Sequence, residues 1–414
     1  MINSFRIANS HCLHVNCFKT LCHRSVCSRV PKEKNARRTA SESDSEVTPL
    51  ASRAKELLED SVVAIEPKPQ SPDDVWVSDA YPKSEKRIQS RHLLVPKVDP
   101  RETSLILFPG QGAQSVGMGK ELLKFPIVKE LFDCAGEILG FDLKKLCLEG
   151  PKEELDKTEY CQPAILVCSL AALEKLKEER PSAVENCVAT AGFSVGEIAA
   201  LVFSGSLAFE NAVNLVKVRA KAMQLASDLV DGGMMTVMYG PDSNIGYACL
   251  KARQWCEEKG IEKPECRVAN YLYPHCKVIA GNIQALQYIE ENARALKLKR
   301  VKRLPVSGAF HTELMRPAVE PFQVALRKAK VSDPIISVHS NVDGKRYKNA
   351  KHILMQLPKQ IYKPVKWEQT LHILYERPDG EHFPKTYECG PGSSLKTILK
   401  MVNAKAWNSC TSIS

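Results

Sequence analysis

Residues 188–203 read Val-Ala-Thr-Ala-Gly-Phe-Ser-Val-Gly-Glu-Ile-Ala-Ala-Leu-Val-Phe, and three signals lie in this one stretch. Val188 to Ala191 is a short apolar strand, Gly192-Phe193-Ser194-Val195-Gly196 is a G-x-S-x-G turn, and Glu197 to Phe203 is helical. A serine on a tight strand-to-helix turn exposes its hydroxyl, and the flanking glycines relieve the crowding. The helix N-terminus behind it offers backbone N–H groups and a favourable dipole to a developing oxyanion. The bland alternative is a Gly-Ser loop that merely caps a helix.

Working outward, Ser104-Leu-Ile-Leu-Phe108 reads as a buried strand stopped by Pro109, Gly110 and Gly112. Amphipathic patterning follows from about Met118 to Leu139, and a second apolar helix is expected from Pro163 to Leu176. Strands alternating with helices predict an α/β domain with a mostly parallel sheet covered on both faces, resembling an α/β-hydrolase. Residues 232–306 differ. Strands at Met234–Tyr239, Cys266–Tyr271, Lys277–Ala280 and Lys299–Val306, with helices at Ile245–Lys259 and Ile283–Leu296, run β-α-β-β-α-β. That order predicts a ferredoxin-like subdomain inserted into an α/β domain of residues 103–231 and 307–408. The crevice between them is the natural place for a ligand.

The first hundred residues are of another kind. Residues 1–40 carry eight Lys or Arg against Glu33 alone, with Ser and His between them, the composition of a mitochondrial transit peptide. Residues 41–100 read as a weakly ordered, Ser-, Pro- and charge-rich arm. Cys12, Cys17, Cys22 and Cys27 recur every fifth residue, a spacing that matches no usual zinc pattern, so no metal site is expected. Fifteen cysteines, odd in number and scattered over 414 residues, do not make a secreted disulfide framework. No apolar run approaches a membrane span. The formal charge of +10 suggests acidic partners. Nucleic acid is not among those expected, because no recognition motif accompanies the charge.

Within the body, His311 in Ser307-Gly-Ala-Phe-His-Thr312 is the best candidate for the base that a serine nucleophile needs. A structural histidine is the competing reading. Phe108-Pro-Gly-Gln-Gly-Ala-Gln114 places backbone amides at a strand end, as an oxyanion or phosphate loop would, or as an ordinary turn would. Arg219, between Val218 and Ala220 on a largely apolar helix over Ala212–Ala226, is expected to be buried and to need an anionic partner. A salt bridge to an Asp or Glu of the chain would satisfy it as well as a ligand.

Together these stretches resemble the malonyl-CoA:acyl carrier protein transacylase family, and its mitochondrial members in particular, over about Leu105 to Lys405. The carrying residues, in order, are 108–114, Gln162-Pro-Ala164, Gly192 to Glu197, Val216-Lys-Val-Arg-Ala-Lys-Ala-Met-Gln224, Gly308-Ala-Phe-His311, and Gln360 with Pro364-Val-Lys-Trp367, followed by Gly390-Pro-Gly392. The resemblance implies that Ser194 is acylated, that His311 is its general base, and that the backbone carbonyl of Gln360 orients the histidine. It further implies an oxyanion hole from the amides of Gln111 and Val195, and a malonate carboxylate held by Arg219 with Gln162 nearby. Phe310 would sit where an α-methyl group would go. No cofactor is implied. The implied partners are malonyl-CoA and an acidic phosphopantetheinylated acyl carrier protein; the implied setting is fatty acid synthesis in the mitochondrial matrix, by a monomer. Phe193 stands where many bacterial relatives carry histidine and resembles the mitochondrial-type members there, and Tyr273-Pro-His-Cys276 departs from the Gly-Gln hairpin typical of bacterial members. Lys297, Lys299, Arg300, Lys302 and Arg303 form either a docking surface for the carrier or a solvated face. A thioesterase using the same serine and histidine, and a non-catalytic basic binding protein, are the rival readings.

Overall fold

The computed structural model describes residues 98–414 apart from Ser307 and Asp379, so the transit-peptide and arm readings for residues 1–97 lie outside the described residues. Strand β1 (Ser104–Phe108) is buried at every position. It is followed by α1 (Pro126–Leu139), α2 (Thr158–Glu179), β2 (Cys187–Gly192), α3 (Val195–Phe203) and α4 (Phe209–Leu229). Next come β3 (Gly232–Tyr239), α5 (Ile245–Glu258), β4 (Cys266–Tyr273), β5 (Cys276–Asn282), α6 (Ile283–Glu291) and β6 (Leu298–Arg303). The chain continues with α7 (Val319–Lys328), β7 (Ser337–His339), β8 (Val365–Lys366) and α8 (Trp367–Tyr375), then β9 (Lys385–Cys389), α9 (Ser394–Val402) and β10 (Cys410–Ile413).

Two sheets result. The first has the order β10-β9-β1-β2-β7, and every pairing in it is parallel. Its central strand explains the layering. Ile106 and Phe108 point into the large core shared with α1, α2, α3 and α4, whereas Leu105 and Leu107 pack with Trp367, Leu371, Leu395 and Leu399 on the other side. A strand apolar on both faces demands helices on both, which is the α/β class expected above. Each such side chain removed from water contributes about 1.5–3 kcal/mol.

The second sheet has the order β6-β3-β5-β4-β8. Its first four strands are antiparallel in the ferredoxin-like order, fourth, first, third, second. The fifth strand was not anticipated. β8 lies beyond the inserted segment, and it pairs in parallel with β4 through Asn270↔Val365 and Tyr271↔Lys366. The inserted segment is thereby joined edge to edge to the chain that follows it.

Two helix starts differ from the sequence reading. α1 begins at Pro126, not near Met118, because Pro126 at the first helical position holds Phe125 extended and starts a fresh helix. α2 begins at Thr158 and carries Pro163 inside it. The proline removes one helical hydrogen bond, and a helix buried along most of its length tolerates the loss.

Candidate active site

The register of β1 against β2 pairs Phe108 with Gly192, so the loop after β1 and the turn after β2 emerge side by side. The Phe193 amide donates to the Phe108 carbonyl at 2.9 Å. The turn is so close to β1 that a Cβ on Gly196 would lie 2.3 Å from the Phe108 oxygen, and one on Gly192 only 1.9 Å from the Gly196 backbone. Both glycines are therefore dictated by backbone approach. Between them Ser194 is held at φ 53°, ψ −111°, a conformation that L side chains seldom adopt. Strain of this kind persists only where the surroundings over-determine it. Here Asn341, just past β7, does so: its Oδ1 accepts from the Ser194 amide at 2.7 Å, while its Nδ2 donates to the Gly192 carbonyl at 2.7 Å.

His311 also has positive φ, 61°. Its Nε2 lies 3.0 Å from Ser194 Oγ, and its Nδ1 lies 2.7 Å from the backbone oxygen of Gln360. A carbonyl can only accept, so Nδ1 carries the proton and the Nε2 lone pair faces the serine hydroxyl. Burial, reinforced by the nearby Arg219 charge, lowers the imidazole from the usual 6.5 to about 4. At neutral pH it is an uncharged acceptor.

Arg219 projects from α4 and is completely buried. Its NH1 donates to Gln162 Oε1 at 2.6 Å; its NH2 donates to Gln360 Oε1 at 2.7 Å and to Ser194 Oγ at 3.0 Å. Its Nε–H has no partner among the described residues. The intramolecular salt bridge weighed above is not what balances it, since two neutral carboxamides hold the guanidinium. Burial lowers its pKa to about 10, which leaves it cationic at neutral pH. A buried cation gripped by neutral groups, within hydrogen-bonding distance of a serine hydroxyl, calls for an anion next to that hydroxyl.

The remaining candidates lie around this centre. Val195 is the first residue of α3, where helix geometry gives the amide no partner inside the helix. Gln111 sits in the loop after β1, and its side chain donates to Thr158 Oγ1 at 3.3 Å, at the start of α2. Phe310 is buried in the main core beside His311.

Two residues at the centre were missed. Asn341 gave no signal, because its contacts reach back nearly 150 residues. Glu197 did give one: it is an acid opening an otherwise apolar helix, and it is fully buried. Its carboxylate accepts from the Tyr347 hydroxyl at 2.6 Å, from Gln360 Nε2 at 2.6 Å and from the Asn341 amide at 3.3 Å. Burial pushes its carboxyl up to about 7 against the pull of these donors.

A serine hydroxyl beyond a parallel strand, with a neutral imidazole and a buried cation against it, has the chemistry of an acyl-transfer centre of the α/β class. Family comparison agrees: the model described as acyl transferase domain matches residues 106–376, and the chain belongs to that family. Within it, the chain stands among the malonyl-CoA–acyl carrier protein transacylases. A Drosophila melanogaster protein named as a probable mitochondrial member is 60% identical over 311 residues, covering 75% of this chain and 82% of the relative. The mitochondrial transacylase of Homo sapiens is 52% identical over 314 residues, 76% of this chain and 80% of its own length. Among solved structures, the transacylase from Coxiella burnetii superposes with a TM-score of 0.68 at 31% identity, covering 76% of this chain and 95% of that one. A malonyl-transacylase in complex with a type II polyketide acyl-carrier protein gives 0.66 at 32% identity, covering 75% and 94%.

Proposed function

We propose that this protein transfers malonyl from malonyl-CoA to the phosphopantetheine thiol of acyl carrier protein in mitochondria, through a malonyl ester of Ser194. The observation that carries the reading is Arg219, a buried cation in direct contact with the nucleophile's hydroxyl. His311 takes the Ser194 proton as Oγ bonds to the thioester carbon. The amides of Gln111 and Val195 stabilise the oxyanion. Collapse breaks the C–S bond, and the imidazolium returns its proton to the departing thiolate of coenzyme A. The carrier's thiol then repeats the sequence in reverse on the malonyl-serine ester.

Arg219 receives the free malonate carboxylate with the help of Gln162, so acetyl-CoA, which cannot pair with the arginine, is selected against. Phe310 beside the base restricts the space open to an α-methyl group. The segments 103–231 with 307–408, and 232–306, form the two walls of the crevice.

No helix among the described residues is long and apolar enough to cross a membrane. The carrier's acidic surface would meet β6, the outer strand of the second sheet, where Lys299, Arg300 and Lys302 are exposed. Arg303, by contrast, pairs with Glu290 at 2.8 Å. Lysines also protect an open sheet edge from mispairing, so charge reversal is the test of docking. Initial velocities with malonyl-CoA and carrier protein varied together test the whole proposal. Parallel double-reciprocal lines are expected; hydrolysis unaffected by the carrier would instead mark a thioesterase.

A further inference from the structure

The transfer mechanism leaves one buried ionisable group at the centre unused. Glu197 stands three residues after the nucleophile, yet it touches neither the serine hydroxyl nor the imidazole through any hydrogen bond found in the structure. Tyr347, Gln360 and the Asn341 backbone converge on it, and all three are donors. Both carboxylate oxygens accept in this arrangement, and the bond from Gln360 Nε2 is charge-assisted when Glu197 is ionised.

The consequence falls on Gln360. One Nε2 hydrogen goes to Glu197 and the other to the Ser194 carbonyl, at 2.8 Å. With both hydrogens claimed, the carboxamide is not free to flip, and its Oε1 must face Arg219 NH2 at 2.7 Å. A flipped amide would set N–H against the guanidinium donors. The same residue's backbone oxygen holds His311. We propose that Glu197 is a positioning residue which fixes the carboxamide of Gln360, so that Arg219 is held by a neutral acceptor and its charge stays available to the substrate carboxylate.

The arrangement has a chemical logic. A carboxylate bonded directly to Arg219 would quench it and compete with the ligand, whereas one placed behind an amide stabilises the cation without occupying it. Glu197 contributes in that sense, since its charge opposes the lowering of the arginine's pKa by burial. The inference rests on the malonyl reading above.

The test is the ratio of kcat/KM for malonyl-CoA to that for acetyl-CoA, measured on the full-length protein with Glu197→Gln, Gln360→Met and the double variant, each checked for folding by thermal unfolding. Exchanging the charge-assisted bond for a neutral one should lower the ratio about 5- to 10-fold in Glu197→Gln at pH 8, where the wild-type carboxyl is ionised. Because Glu197 acts through Gln360, the double variant should fall no further than Gln360→Met alone. A folded Glu197→Gln protein that keeps the wild-type ratio overturns the proposal, as does a double variant that loses the full effects of both. If Glu197→Gln does not fold, Tyr347→Phe replaces it: a smaller fall, absent on the Gln360→Met background, is expected, and an unchanged ratio overturns the proposal. Failure of the wild type itself to transfer malonyl would refute the function, not the role of Glu197.

Discussion

Lowering the pH from 7.5 to 5.5 should leave the rate of acylation by acetyl-CoA, which does not call on Arg219, Gln360 and Glu197, almost unchanged, although the proposed base is a histidine. An exposed imidazole titrates near 6.5, so at pH 5.5 only about a tenth of it would remain neutral and the rate would drop roughly tenfold. His311 has its pKa lowered to about 4 by burial and by the Arg219 charge, which leaves about 97% of the base competent at pH 5.5. The assay is single-turnover acylation of Ser194 by acetyl-CoA, with malonyl-CoA run beside it, in rapidly mixed buffers from pH 3.5 to 8, with the enzyme held at pH 7 until mixing. With acetyl-CoA the acid limb should bend near pH 4, and a bend at 6.5 would refute the placement of His311 in a dry site beside a cation; with malonyl-CoA an added fall through about pH 7 reports the protonation of Glu197. Stability follows the same group. Between pH 6.5 and 4 the unfolded chain binds a proton that the folded one refuses, so stability is full above 6.5 and falls as the pH drops through that window. The loss is roughly 3 kcal/mol from this residue by pH 4. Glu197 opposes it over the same range, because its raised carboxyl adds stability as it protonates, so the His311 contribution is read as the difference in urea midpoints between the wild type and His311→Ala.

Arg219→Ala should lower kcat/KM for malonyl-CoA by about 100-fold or more while changing acetyl transfer far less, since truncating one partner of a buried charged pair costs about 2–5 kcal/mol. Asn341→Ala removes both bonds that hold the strained serine turn; kcat should fall more than KM rises, and a change confined to Tm would contradict that. Gly196→Ala puts a Cβ 2.3 Å from the Phe108 carbonyl, so β1 and the turn must separate. Urea titration should show a loss of about 1–3 kcal/mol. Reversing Lys299 and Arg300 to Glu should raise KM for carrier protein, most at low salt, and spare transfer to a small thiol.

Much of this centre was legible because its parts obey local rules. The strand-turn-helix at 188–203 announces itself through glycine spacing and a change of hydrophobic period, and the β-α-β-β-α-β run through alternating short periods. Arg219 could be read as buried from its apolar neighbours, but not its partners, because two glutamines 57 and 141 residues away supply them. Proline misled once and helped once. Pro126 starts its helix, whereas Pro163 looked like a start and lies inside a longer one. β8 is two residues long, too short for any periodicity, and only its pairing with β4 makes it a strand. Asn341 and Tyr347 entered through the fold alone, carried to the serine by the pairing of β7 with β2.

The central claim is a malonyl group carried on Ser194, and intact mass spectrometry after brief mixing with malonyl-CoA tests it most directly. The wild type should gain one malonyl adduct, which acyl carrier protein then removes, and Ser194→Ala should gain none. An adduct that survives in Ser194→Ala, or turnover to carrier protein with no serine-bound malonyl at any time, would contradict the account.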